Sequence, residues 1–220
     1  YRESRGIEIT PDPPYFSGGH MNITVIGATG MVGSRVVAEA LSRGHQVTAV
    51  TRGGTAVEGT TPVAADLSDT AAVVDLINAS DATVIAVPTD RTGGSAEPVI
   101  KAHRDLIAAA PTGRLLVVGG AGSLLADGVE LKDGPGFPPL YKPEAEAFST
   151  VLGLYRASHG LDWTLISPAP EIAPGDAADH YSVALDSPAG SFVSSGTFAV
   201  AILDELETPA HRGARFTVAQ

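Results

Sequence analysis

The stretch Asn22-Ile23-Thr24-Val25-Ile26-Gly27-Ala28-Thr29-Gly30-Met31-Val32-Gly33 decides the fold. Ile23, Val25 and Ile26 form a short apolar run rich in β-branched residues and stopped at once by glycine, the pattern of a buried parallel strand. Glycines recur at 27, 30 and 33 and lead into an amphipathic segment, Val32 to Arg43. Strand, tight glycine turn and helix start, in that order, make an anion site. N–H groups at a helix N-terminus point outward, and the helix dipole favours negative charge there. Gly27 is expected to turn the chain, Gly30 to let a ligand reach the backbone, and Gly33 to let helix and strand pack closely. The spacing is G-x-x-G-x-x-G, not the G-x-G-x-x-G of the common dinucleotide fingerprint, so the flanking strand and helix carry the argument. They support a dinucleotide whose diphosphate rests on the turn, at Gly27, Thr29, Gly30, Met31 and Val32; the bland alternative is a turn with no ligand.

Working outward, strands and helices alternate. Gln46 to Val50 reads as a second strand, Val63 to Ala65 as a third, Ala82 to Val87 as a fourth, Arg114 to Val118 as a fifth and Leu161 to Ser167 as a sixth. Helices are expected over about 69–78, around Val99 to Ile107, from Pro143 through Tyr155, and over about 196–206. Arg215 to Val218 reads as a final edge strand. The alternation predicts a single α/β domain, a doubly wound parallel sheet of Rossmann type in the order 3-2-1-4-5-6 with a possible seventh strand. A ligand then lies across the carboxyl ends of the strands. Two irregular stretches, Gly119 to Tyr141 and Pro168 to Ser195, are longer than connections need to be, which is common for functional or mobile loops.

Residues at those strand ends suggest the ligand. An NAD site usually places a carboxylate about twenty residues beyond the glycine turn, on the ribose 2′-hydroxyl. Here the second strand ends in Val50-Thr51-Arg52, with no carboxylate before Glu58. A guanidinium suits a 2′-phosphate, so NADP(H) is preferred over NAD(H). Arg35 either assists or is a solvated surface charge. Asp66 is placed to accept from the adenine amino group, with Leu67 over the ring, or to belong to the cap region of the helix after Asp69. Val87-Pro88-Thr89 should line the nicotinamide side, and Gly119-Gly120-Ala121-Gly122-Ser123 brings flexible backbone and one hydroxyl to the centre. Ser123 either meets the substrate or the nicotinamide amide, or ties down its own loop. Ser123 and Tyr141 are the candidate catalytic hydroxyls.

The negative findings also bear on chemistry. Tyr141 is followed by Lys142 and position 145 is Ala, so the Tyr-x-x-x-Lys acid pair is missing. No G-x-S-x-G nucleophile turn occurs. The six histidines show no metal-ligand spacing; His103 falls on an apolar helix face and reads as core, while His180 and Tyr181 lie in the late loop. Glu144 and Glu146 read as solvated first-turn carboxylates. Phe137, inside Pro135-Gly136-Phe137-Pro138-Pro139, either covers the pocket or merely packs.

Composition bounds the rest. The net charge of −11 and pI near 4.8 argue against binding a phosphate backbone. No apolar run approaches a membrane span, and there is no cysteine. A cytoplasmic protein, monomer or homodimer, is the expectation. Tyr1 to His20 is rich in Pro and Gly, and Gly18-Gly19-His20-Met21 looks like a vector junction, so residues 21–220 are taken as the domain. The opposing reading is a native extension lying over a neighbouring molecule.

With Ile26-Gly27-Ala28-Thr29-Gly30-Met31-Val32-Gly33, Thr51-Arg52, Gly119-Gly120-Ala121-Gly122-Ser123, Asp162-Trp163-Thr164 and Ser167-Pro168 in hand, the chain resembles a known group. It is similar to the atypical short-chain dehydrogenase/reductases named for NAD(P)H binding and NADH–flavin reduction, which include biliverdin reductase B-like and NmrA-like proteins. The resemblance runs from Met21 to Gln220, including Pro135-Gly136-Phe137-Pro138 and Arg215-Phe216-Thr217-Val218. It implies a Rossmann fold, bound NADP(H) and, in some members, reduction of a flavin. Val87-Pro88-Thr89 and the short Ser-rich segment between Asp186 and Gly196 depart from the pattern, which bears on the acceptor. Three functions follow as expectations: an NADPH-dependent reductase of flavin or quinone-like acceptors, a non-catalytic NADP(H)-binding redox sensor, and a sugar-nucleotide epimerase. The last is weakened by the missing tyrosine–lysine pair.

Overall fold

The computed structural model describes residues 19–90, 92 and 94–220. The readings of residues 1–18 as a vector-derived or partner-covering extension lie outside the described residues. His20, at the boundary, places its Nδ1 2.7 Å from the Gly44 carbonyl.

The elements run β1 (Asn22–Ile26), α1 (Met31–Ser42), β2 (Gln46–Thr51), β3 (Thr61–Ala64), α2 (Thr70–Asn78), β4 (Ala82–Ile85), α3 (Glu97–Ala109), β5 (Leu115–Val118), α4 (Lys142–Ala157), β6 (Trp163–Pro168), β7 (Ser182–Ala184), α5 (Ser195–Glu207) and β8 (Ala214–Ala219). These strands form one sheet in the order β3-β2-β1-β4-β5-β6-β8-β7. Every neighbouring pair is parallel except β7 with β8. The expected 3-2-1-4-5-6 order and Rossmann-type architecture are therefore present. The sheet continues past its sixth strand, however, and Arg215 to Val218 is not an edge. β8 lies between β6 and β7, with Phe216 and Val218 in the core. The antiparallel cover comes from Ser182–Ala184, a strand of three residues inside a stretch read as irregular; so short a segment has too few residues to show a period.

Helices cover both faces. α1 and α5 lie on one, where Val36, Val37, Phe198 and Ile202 meet Val25, Val84 and Leu116. On the other, α2, α3 and α4 place Ile77, Leu106, Val151 and Tyr155 against Ile85, Leu115 and Trp163. Burial on both faces explains why β1, β4 and β5 read as nearly continuous apolar runs. Among the described residues, no helix is long and apolar enough to cross a membrane.

Two polar features inside the packing affect stability. At the amino end of the sheet, Arg114 bonds Asp162 and the buried Glu205 of α5, each at 2.9 Å. Glu205 also accepts from the N–H groups of Ala210 and His211 and lies 2.8 Å from His211 Nδ1. The second feature is His103, fully buried on α3 with Nδ1 3.1 Å from the Tyr155 hydroxyl. Its Nε2 has no partner, so the expected core histidine is only half satisfied. Burial pulls the His103 pKa down to about 4. The folded protein thus holds this ring neutral where the unfolded chain, near 6.5, takes up a proton. His103 therefore contributes stability above about pH 6.5 that is lost as pH falls toward 4, on the order of 3 kcal/mol over that window. His103→Gln is expected to flatten the acid side of the stability profile between pH 6.5 and 4. Denaturant unfolding at closely spaced pH values checks this, and an unchanged slope would refute it.

Candidate nucleotide-binding cleft

The glycine turn follows β1 and is built by close approach. Gly27 has φ +88°, and a Cβ there would lie 2.5 Å from the Ala86 carbonyl oxygen. Gly33, one turn into α1, packs on that turn so closely that a Cβ would lie 2.0 Å from the Gly27 oxygen. Gly30 caps α1 in an extended conformation (φ −73°, ψ 170°), and no side chain bonds the helix start. The N–H groups of the first turn, at Met31, Val32 and Gly33, therefore have neither an intrahelical nor a capping partner. That donor set fits a diphosphate, and Thr29 and Gly30 stand exposed beside it.

The cleft beyond the turn is lined by Gly30, Met31 and Val32, by Ala86, Val87 and Pro88 after β4, by Val118 and Gly119 at β5, and by Glu144 and Phe148 of α4. It sits where the parallel order reverses, between β1 and β4, as a doubly wound sheet requires. A second hollow, bordered by Asn22, Thr24, Gln46, Thr48 and Ser80, opens at the amino end of the strands and carries no charged side chain.

Of the predicted residues, Gly30, Met31, Val32, Val87, Pro88 and Gly119 come together in the cleft. Thr89 is buried beside it and does not line it. Arg52 and Asp66 meet at the other end of the site, beyond β2 and β3. Arg52 is exposed and makes no hydrogen bond or ion pair among the described residues. Hydrogen bonds from Ser68 Oγ (2.6 Å) and N–H (2.9 Å) hold the Asp66 carboxyl below the usual carboxylate range, and the Arg52 charge adds to this. Asp69, not Asp66, caps α2. Leu67 belongs to the core, so covering a ring would use only its outer edge. Arg35 lies 3.5 Å from Asp176, with both side chains well exposed.

Ser123 takes the second of its two expected roles. It is buried away from the cleft lining; its Oγ accepts from Arg215 Nη1 at 2.9 Å and its carbonyl from Nη2 at 3.2 Å. Arg215 also donates to Asp186 through Nε (2.8 Å) and Nη2 (2.6 Å). Burial raises the Asp186 carboxyl, and Arg215 with Arg156 outweighs it and holds the group below its ordinary value. Ser123 is thus an anchor for its loop. Gly119 to Tyr141 is likewise pinned, through Lys132 to Glu130 at 2.9 Å and a close packing of Gly122 on Ala145, and carries its own hairpin of Leu125–Ala126 with Val129–Glu130. Tyr141 stands more than half exposed just before α4, outside the lining, while His180 is on the surface and the Tyr181 hydroxyl donates to Asp204 at 2.6 Å.

Glu144 corrects an expectation in the other direction. It is a half-buried wall of the cleft, not a solvated carboxylate. Phe148, part of the core, also forms a wall of the cleft. Their i, i+4 spacing on a helix that starts at the carboxyl end of the sheet is the signal that pairs them. Among the described residues, no group of three or more His, Asp or Glu could hold a metal.

Comparison with known proteins agrees with this geometry. The family model described as NAD(P)H-binding matches residues 27–209. The chain belongs to the NAD(P)H-binding family. It is similar to the Bacillus subtilis protein YwnB, 35% identical over 210 residues that span 90% of this chain and 98% of that one. A candidate NADH-flavin reductase from Streptococcus pneumoniae has a similar structure (TM-score 0.79, 31% identity, 91% of this chain and 99% of that one). So does a candidate epimerase from Bacteroides thetaiotaomicron (TM-score 0.80, 32% identity, 91% and 97%). The NAD(P)H-binding family match and the uncapped glycine turn agree on a nicotinamide cofactor.

Proposed function

We propose that the protein is an NADPH-dependent reductase whose acceptor is a small flavin or quinone-like molecule. The observation that carries the reading is the cleft wall itself. The turn, β4, β5 and α4 converge on an apolar surface of Met31, Val32, Val87 and Phe148, beside a backbone that suits a diphosphate. When bound, the cofactor supplies a hydride at its nicotinamide ring; the chain binds, orients and excludes water. A carbonyl or sugar substrate would require a proton donor beside the developing alkoxide. Among the described lining residues there is no tyrosine, lysine or histidine, and Glu144 is the one titratable side chain. A ring acceptor that delocalises the added charge and takes its proton from water does not need the missing pair. That favours a reductase over an epimerase, although similar structures also carry the epimerase name. The reading places the protein in the cytoplasm, where NADPH is supplied.

Exposed Arg52 at the end of β2 supports the choice of NADPH. Arg52→Ala is expected to weaken NADPH by about 10- to 100-fold, the worth of a hydrogen-bonded charge pair, and NADH by less than about threefold. Calorimetric titration of both nucleotides checks this; equal losses would remove the preference. Turnover with a panel of flavins and quinones then tests the reductase. Tight NADPH binding without acceptor-dependent oxidation would instead favour a redox sensor.

A further inference from the structure

We infer that Tyr141 is the acceptor-stacking residue of this cleft, holding a flat conjugated ring at the mouth of the wall built by Phe148 and Glu144. The inference rests on the nicotinamide-cofactor reading above. α4 begins at Lys142, yet Tyr141 already has helical dihedrals (φ −93°, ψ −6°). Positions 141, 144 and 148 therefore share one helical face at i, i+3 and i+7. Glu144 and Phe148 line the cleft. Helical side chains lean toward the N-terminus, so Tyr141 stands one turn further out along the same face.

Its surroundings fit a contact surface and not an acid. Tyr141 is 57% exposed and Leu140 79% exposed, two large side chains kept in water at one rim. A single exposed leucine needs no explanation, but two adjacent large exposed side chains at the start of the helix that walls the cleft offer a contact surface. The Tyr141 hydroxyl has no hydrogen-bond partner among the described residues, and the adjacent Lys142 ammonium is turned toward Asp133 at 3.7 Å. Pro138 and Pro139 precede it in a short 3-10 turn, which fixes the backbone of the rim before any ligand arrives. A rigid aromatic face two helical turns from Phe148 on the same helix side selects planar fused rings, such as an isoalloxazine or a naphthoquinone, through offset stacking.

The test separates this inference from the cofactor reading. Oxidised riboflavin is titrated into the full chain loaded with NADP+, and quenching of flavin fluorescence reports occupancy without turnover. Tyr141→Ala is expected to weaken riboflavin about tenfold, the effect of losing one stacking platform, while Tyr141→Phe stays within about twofold. NADP+ affinity, measured by calorimetry, and Tm are expected to be unchanged in both, because Tyr141 is exposed and outside the turn. With NADPH and menadione, Tyr141→Ala should raise the KM for menadione about tenfold and change kcat by less than about threefold. Wild-type affinity for both probes in Tyr141→Ala overturns the inference, with the cofactor reading intact. A Phe variant as impaired as the Ala variant overturns it by assigning the role to the hydroxyl. NADP+ binding to the unaltered chain without binding of either probe also overturns it. Failure of the unaltered chain to bind NADP+ removes both readings.

Discussion

Replacing Glu205 by leucine is expected to lower the unfolding free energy by about 3–5 kcal/mol, and Tm by on the order of 10 °C. Glu205 is 4% exposed and gathers several donors around one buried carboxylate. Arg114, with a side chain 5% exposed, donates to it at 2.9 Å, and Thr164 Oγ1 lies 3.3 Å away. The N–H groups of Ala210 and His211 bond to it and connect α5 to the start of β8. Burial lowers the Arg114 pKa while Glu205 raises it, so removal of the carboxylate leaves a desolvated guanidinium whose remaining carboxylate partner is Asp162. The cost lies in the stranded charge more than in the lost attraction. The double variant Arg114→Met with Glu205→Leu should therefore recover a large part of the loss. Chemical denaturation of the three variants measures this. A single variant within about 1 kcal/mol of the parent would show that water replaces the carboxylate and that the network is not the clamp described.

Gly33→Ala is expected to reduce nicotinamide-nucleotide affinity by about 100-fold or more, with a stability loss of about 1–3 kcal/mol from overpacking. The added methyl would lie 2.0 Å from the Gly27 oxygen, 2.8 Å from its carbonyl carbon and 3.2 Å from the Ala28 Cα. All three are backbone atoms, so no rotamer change relieves the clash, and either the turn or α1 has to move. Either movement carries the free N–H groups of Met31 and Val32 away from the diphosphate position. Gly30→Ala provides the contrast. Its methyl would come no closer than 3.3 Å to the Gly27 oxygen, so the fold should tolerate it while the ligand's approach to the backbone is hindered. Calorimetry with NADPH and thermal unfolding separate the two effects. Binding by Gly33→Ala within about threefold of the parent would show that the turn does not hold the diphosphate.

Much of this molecule was legible in chain order. The β-branched run before three glycines announced a strand, a turn and a helix start, and the switch between apolar runs and helical stripes placed the first six strands and their order. Those features are local. A φ of +88° at Gly27 and an apolar period are set within a few residues, so they show without knowledge of what packs against them. The glycine turn, Val87, Pro88 and Gly119 were legible for the same reason, since topology sends strand ends to one edge.

Ser123, Glu144 and β8 were different. Whether Ser123 faced the cleft or its own loop depended on Arg215, 92 residues away, whose guanidinium takes both its hydroxyl and its carbonyl. Glu144 sits in an ordinary first-turn position and became a cleft wall only because α4 docks with its first turn against Gly122, across the cleft from the ends of β4 and β5. Nothing local to Arg215–Val218 shows that three residues from a long irregular stretch return to cover it. Local sequence thus specified the strand–turn–helix unit and the sheet order, because backbone conformation and apolar period are short-range properties. Tertiary packing alone decided which polar groups face the cleft and which are consumed in holding it together, because a hydrogen-bond partner can come from any distance along the chain.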